Sequence, residues 1–332
     1  MNASDRPQTT DHGQESIRYR RPPLLFSAHL ETIIPSLFRK VKLEAPVEQV
    51  LELSDGDFLE YDLYTGGHTT GRHLCILCHG MEGNSRRPYV LGMVRAVREA
   101  GFDAIAWNYR GCGKTMNRLD RFYHCGATED LDAVIRHTAA GYDTVHLIGF
   151  SLGGNLILKY LGENQERSLG ITSAFTVSVP ANMHSACRKL SSFSNLIYSK
   201  NFISSMIRKV RQKAVTNPEL RKFRLDNIRS VLDFDQHVTA PLNGYASAAA
   251  YYEANSAIRF MDAICRPVTI LNAANDPFFT ADCSPAERFA RHPHIRFVLT
   301  RHGGHVGFYA RDEKGRYFSE QMVVAHLQKY TR

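Results

Sequence analysis

Residues 149–153 read Gly-Phe-Ser-Leu-Gly, at a junction that restricts the chain to few architectures. Before them lies Thr144-Val-His-Leu-Ile148, a short apolar and β-branched run with the character of a buried strand. After them Leu152, Leu156, Leu158 and Tyr160 recur at helical spacing. Strand, sharp turn and helix around G-x-S-x-G form a nucleophile elbow. Side chains at Gly149 or Gly153 would collide with neighbouring backbone in so tight a turn, and Ser151 is forced into a sparsely populated backbone region. Such a turn lifts the Ser151 hydroxyl above the edge of a sheet, within reach of a base and a substrate.

The rest of the chain repeats that strand–helix rhythm. An amphipathic entry segment spans 24–38, and Val50 to Tyr64 alternates about Asp55-Gly56 as a hairpin. Strands are predicted near 73–78, 103–108, 144–149, 171–178, 266–272 and 295–300, and helices near 88–100, 128–140, 152–162, 284–291 and 316–329. The pattern implies an α/β fold with a mostly parallel central sheet flanked by helices. It breaks over 181–265, which has helical patterns but no clear strand and is expected to be a helical cap inserted into the core. The expected organisation is a disordered lead over 1–23, a core built from 24–180 and 266–332, and the cap.

A serine hydroxyl needs a base, and the base an orienting acid. In elbow-bearing sheets the chain order is serine, acid, histidine. The run Val268–Asn275 ends at Asp276-Pro277, which places Asp276 at a strand C-terminus, although Asp-Pro also suits a plain turn. Asp262 precedes that strand and Asp282 lies past the turn. The last strand runs into Arg301-His-Gly-Gly-His-Val-Gly-Phe308, and His305, between glycines on a loop expected to be flexible, is the candidate base. His302 is its rival, closer to the strand end. Oxyanion stabilisation is expected from the backbone N–H groups of Leu152 and of Met81, in the loop His79-Gly-Met-Glu-Gly83. His79 and Gly80 are read as loop-ordering residues. Arg110 is expected either to order loops by bonding backbone carbonyls or to bind a substrate anion, with ordering favoured.

The seven cysteines, with no export signal, fit a reducing cytoplasm. Cys75 and Cys78 share a strand three residues apart, so alternation points them to opposite faces and argues against a metal or redox pair. No metal or organic cofactor is expected. The net charge of +8 is concentrated: residues 186–225 hold ten basic side chains against Glu219, or +9, leaving the remainder at −1. No stacking-aromatic pattern accompanies the charge, so nucleic acid is the weakest reading of it. It reads as a solvated helical face, or as a basic surface resting on anionic lipid.

Further motifs sharpen the picture. They include His29-Leu-Glu-Thr32, His79-Gly-Met-Glu-Gly83, Asn108-Tyr-Arg-Gly-Cys112, Asn117-Arg118, Tyr123-His124, Thr128-Glu-Asp130, Gly149-Phe-Ser-Leu-Gly-Gly-Asn155, Phe234-Asp235, Tyr245, Tyr251-Tyr252 and Gly303-Gly-His-Val-Gly-Phe308. Together they resemble the YheT/EMB8-like branch of the α/β-hydrolase superfamily, related to the animal ABHD1 and ABHD3 esterases. The likeness covers about residues 24–328, with small departures such as Met81 and Gly113. It implies a serine hydrolase acting on carboxylic esters, acyl lipids included, with Ser151, Asp276 and His305 as its triad. The animal relatives carry an N-terminal membrane anchor. None is visible here, which is similar to the bacterial members and implies a cytoplasmic, at most peripherally membrane-bound, protein.

The expected activity is a carboxylesterase of short- to medium-chain acyl esters or acyl lipids, with Phe193, Leu196, Ile197, Phe202 and Ile203 of the cap receiving the acyl chain. An acyltransferase, or a non-catalytic acyl-binding protein on the same fold, is the alternative.

Overall fold

The computed structural model describes residues 19–66 and 71–331, so most of the expected disordered lead, residues 1–18, lies outside the described residues. Its centre is one eight-stranded sheet: β1 (Val47–Glu52), β2 (Phe58–Tyr64), β3 (His73–Cys78), β4 (Asp103–Asn108), β5 (Thr144–Phe150), β6 (Ser173–Val177), β7 (Val268–Ala273) and β8 (Ile295–Thr300), in the order β1-β2-β4-β3-β5-β6-β7-β8. The predicted hairpin forms: β1 and β2 pair antiparallel, and β2 pairs antiparallel with β4. From β4 to β8 every pairing is parallel. All parallel strands therefore end on one edge, where an α/β sheet binds ligands.

Helices of eight or more residues are α1 (Ala28–Phe38), α2 (Pro88–Glu99), α3 (Thr128–Thr138), α4 (Leu152–Glu163), α5 (Met183–Leu190), α6 (Leu196–Lys213), α7 (Ala248–Asn255) and α8 (Phe318–Tyr330). Strand alternation divides the core into two layers. Leu74, Ile76 and Cys78 join a layer with α3 and α4, whereas Cys75 and Leu77 join one with α2 and α8. Cys75 and Cys78 thus do lie on opposite faces. The chain between β6 and β7 holds α5, α6, α7 and several shorter turns, with no strand among them.

One predicted helix does not form. Residues 284–291 wind through successive turns, held by short-range bonds such as Ala290 N–H to the Glu287 carbonyl. Pro285 and Pro293 bracket the stretch, leaving too few residues to repay helix nucleation. The entry helix α1 buries Glu31, Thr32 and Pro35 and leaves Leu37 and Phe38 exposed.

At the opposite edge of the sheet from the elbow, a buried polar chain crosses three strands and α8. His146 Nδ1 and His326 Nε2 meet the Ser173 hydroxyl at 2.8 and 2.9 Å. Thr144 and Thr269 engage the remaining ring nitrogens. Burial pushes both imidazoles down to about 3. An unfolded histidine titrates near 6.5, so between these values the unfolded chain takes up protons that the native state refuses. Stability is full above about pH 6.5 and falls as pH drops toward about 3, by up to about 1.4 kcal/mol per pH unit per histidine. Urea unfolding midpoints measured from about pH 7 to pH 4 should decline steadily, and His326→Gln should flatten the slope. A midpoint independent of pH over this interval would contradict it.

Candidate active site

Ser151 stands between β5 and α4 at φ 51°, ψ −117°. Its N–H donates to the Val177 carbonyl at 2.9 Å, tying the elbow to β6. A side chain at Gly149 would come within 2.6 Å of the Gly153 carbonyl oxygen, and one at Gly153 equally close to that of His79. The two glycines are what let this left-handed turn close.

His305 Nε2 lies 3.0 Å from Ser151 Oγ, and its Nδ1 lies 2.7 Å from Asp276 Oδ2. Asp276 is buried and also accepts the Phe278 N–H at 2.9 Å, which fixes the carboxylate plane. The Phe278 ring centroid sits 4.4 Å from that of His305, with Phe279 at 5.5 Å, so water reaches the imidazole from few sides. The other candidates are engaged elsewhere. His302 faces Arg21, Asp262 pairs with Arg288, and Asp282 accepts from Thr280, Asn182 and Ser185.

The loop carrying His305 is not free to swing, contrary to the expectation from its glycines. Three successive N–H groups are held by three different elements: Gly304 by Asn275 Oδ1 at 3.1 Å, His305 by Thr32 Oγ1 at 2.9 Å, and Val306 by Ser178 Oγ at 2.9 Å. Thr32 is itself fixed by donating to the Ala28 carbonyl, and Asn275 by donating to Glu31. The buried polar residues of α1 therefore anchor the histidine loop. The motif 29–32 was visible in the sequence, but its partner lies too far along the chain for spacing to reveal.

Behind the serine, β3 and β5 run in register with Cys78 opposite Gly149, setting the 79–83 loop beside the elbow. The Gly80 N–H donates to the Tyr89 hydroxyl at 3.0 Å and the Gly83 N–H to the Gly80 carbonyl. Among the described residues the N–H groups of Met81 and Leu152 make no hydrogen bond. His79 is buried; its Nδ1–H donates to the Gly80 carbonyl at 2.7 Å and its Nε2 accepts from the Tyr109 N–H. Burial pushes it down to about 3, so it is a neutral brace for the loop. Arg110 is enclosed by Asp130, Asp57 and Asp55 at 2.7–2.9 Å. It orders loops through carboxylates, not through the carbonyls expected.

A narrow cavity of about 50 Å³ extends from Met81 and Leu152 beneath α6. Met206, Phe234, Val238 and Leu242 supply much of its apolar wall. Of the residues expected to receive an acyl chain, Phe193 and Ile197 instead face solvent, 89% and 75% exposed, and Ile203 packs into the core. The buried stripe of α6 runs through Ser199, Ile203, Val210 and Lys213.

An elbow serine in line with a histidine and a buried carboxylate, backed by two unengaged N–H groups, is the equipment of a serine hydrolase. That is the class which fold and site define, in its ester-cleaving form. The chain belongs to the α/β-hydrolase family: the family model described as alpha/beta hydrolase fold matches residues 74–312. It is similar to YheT of Escherichia coli (strain K12), 30% identical over 289 residues, 85% of this chain and 84% of that one. It is also similar to the phospholipase ABHD3 of Mus musculus, 28% identical over 78% of this chain and 66% of that one. In fold it matches the Pyrococcus furiosus esterase Pf2001, with TM-score 0.59 over 89% of this chain and 97% of that one at 14% identity.

Proposed function

We propose that the protein hydrolyses carboxylic esters, of small alcohols or of acyl lipids, through an acyl-enzyme on Ser151. The observation that carries this reading is the unbroken line from Ser151 Oγ through the His305 ring to Asp276, at 3.0 and 2.7 Å. His305 Nε2 takes the serine proton as Oγ attacks the ester carbon, and Asp276 holds the Nδ1–H and stabilises the imidazolium. The oxyanion is received by the Met81 and Leu152 N–H groups, each worth about 2.7–4 kcal/mol in such sites. His305 then returns the proton to the leaving alcohol, and in the second half activates water to release the acid. Labelling by a fluorophosphonate and hydrolysis of p-nitrophenyl esters from acetyl to palmitoyl test it; release of free acid separates hydrolysis from acyl transfer. A chain that neither labels nor hydrolyses any of these esters is not this enzyme.

The lipid form of the reading has its own support. No helix among the described residues is long and apolar enough to cross a membrane. Yet Leu24 and Phe26, before α1, and Phe193 and Ile197, at the start of α6, are exposed. The two regions meet where the His29 ring stacks on Tyr198, which in turn packs on Phe278 beside His305. Arg188, Lys189 and Lys200 belong to the same part of the cap, and each basic side chain near an anionic surface adds about 1 kcal/mol. The protein should float with vesicles rich in phosphatidylserine, and Phe193→Ser with Ile197→Ser should weaken this. Flotation indifferent to both lipid charge and these substitutions ends the membrane contact.

A further inference from the structure

The cavity beneath α6 contains a polar feature that ester hydrolysis does not use. Glu82 follows the oxyanion residue Met81 and lines the cavity, with 8% of its surface exposed. It sits at φ 52°, in the left-handed region that strains a non-glycine residue. One carboxylate oxygen, Oε1, is well served: Lys209 Nζ donates to it at 2.8 Å and the Tyr123 hydroxyl at 2.9 Å. The other, Oε2, is buried and has no hydrogen-bond partner. A buried acceptor left this way is unfavourable until a donor reaches it.

The neighbours show what would satisfy it. The cavity's other acid, Asp235, is already closed, with Thr239 donating to one oxygen at 2.6 Å and Tyr252 to the other at 2.5 Å. His124 is kept neutral, pushed down to about 4 by burial. An anion has no use for a bare carboxylate oxygen, and a second cation would be repelled by the Lys209 ammonium beside it. A neutral hydrogen-bond donor fits, and the donor an ester substrate commonly brings is a hydroxyl.

We propose that Glu82 Oε2 is a recognition site for a substrate hydroxyl, so that the preferred substrates are esters bearing one on the acyl chain or on the alcohol. This rests on the esterase reading above. The contact selects among esters by leaving a buried oxygen unpaired when the hydroxyl is missing, the asymmetry by which polar sites reject deoxy analogues. Lys209 belongs to α6, so the same pair fastens the cap helix to the oxyanion loop.

Two matched pairs of esters test it on the wild-type protein. One pair is p-nitrophenyl hexanoate and its ω-hydroxy counterpart, placing the hydroxyl on the acyl side. The other is propyl and hydroxypropyl hexanoate, placing it on the alcohol. In at least one pair kcat/KM should favour the hydroxylated ester about tenfold or more, as expected of a hydrogen bond to a charged acceptor. An amide NH2 would still donate to a hydroxyl, so the deciding variant is Glu82→Met, which keeps the chain length and removes both oxygens; the preference should fall to about unity. Because the preference is a ratio, any damage to the neighbouring oxyanion loop cancels. Ratios within about twofold in both pairs overturn this inference and leave the esterase reading standing, as does a preference that survives in Glu82→Met. Failure to hydrolyse all four esters overturns both.

Discussion

Replacing Ser151 by alanine should lower kcat for ester hydrolysis by about a million-fold, the loss seen when a triad serine is removed from a comparable enzyme. The size follows from the division of labour at the site. Among the described residues Ser151 Oγ is the hydroxyl bonded to His305 Nε2, so without it water activated in place remains, together with whatever the oxyanion donors contribute. The fold should be untouched, because the Ser151 bonds that matter to it are made by its backbone, to Val177, Gly154 and Asn155. The matching measurement is a circular dichroism melt beside the kinetics, with fluorophosphonate labelling lost in the variant. Activity within about tenfold of wild type would remove Ser151 from the mechanism.

Asp276→Asn should cost about ten-thousand-fold in kcat, by the precedent of the orienting acid in a serine protease triad. The carboxylate accepts from two directions, the His305 Nδ1–H at 2.7 Å and the Phe278 N–H at 2.9 Å. An amide can keep only one of these. If its oxygen stays on Phe278, its NH2 faces Nδ1 and holds the imidazole in the tautomer with a proton on Nε2, unable to receive the serine proton. KM should move far less than kcat, since Asp276 does not reach the cavity. A variant that keeps more than about a tenth of wild-type kcat contradicts the assignment.

How much of this could be read from the sequence depended on distance along the chain. Ser151, Asp276 and His305 each follow a strand legible in the sequence, so strand ends and turn residues pointed to all three, and the structure brings them within hydrogen-bond reach. The 79–83 loop was legible for the same reason. What escaped was set by packing between distant segments. The helical spacing of α6 displays two faces but not which one is covered. The covered stripe includes Ser199 and Lys213, and Lys213 is tolerated there because Asn117 Oδ1 accepts from its ammonium at 2.8 Å. That choice turned Ile197 outward. Likewise nothing near Thr32 announces a histidine loop, and nothing near Glu82 announces a lysine on the cap. The missing helix at 284–291 is a local failure: the composition suits a helix, but the length between prolines does not.

The clamp between α1 and the histidine loop has a consequence for the order in which the molecule becomes competent. The bond from the His305 N–H to Thr32 joins positions 273 residues apart. During synthesis, Thr32 emerges long before its partner exists, and the elbow, the oxyanion loop and the sheet around them are made in the interval. Catalytic power therefore cannot accrue gradually on the ribosome. It arrives at once, when the last parallel strand has been laid down and the loop behind it reaches back to the oldest helix. A growing chain carries the elbow serine without the base that arms it, and so cannot attack the esters around it until His305 is in place.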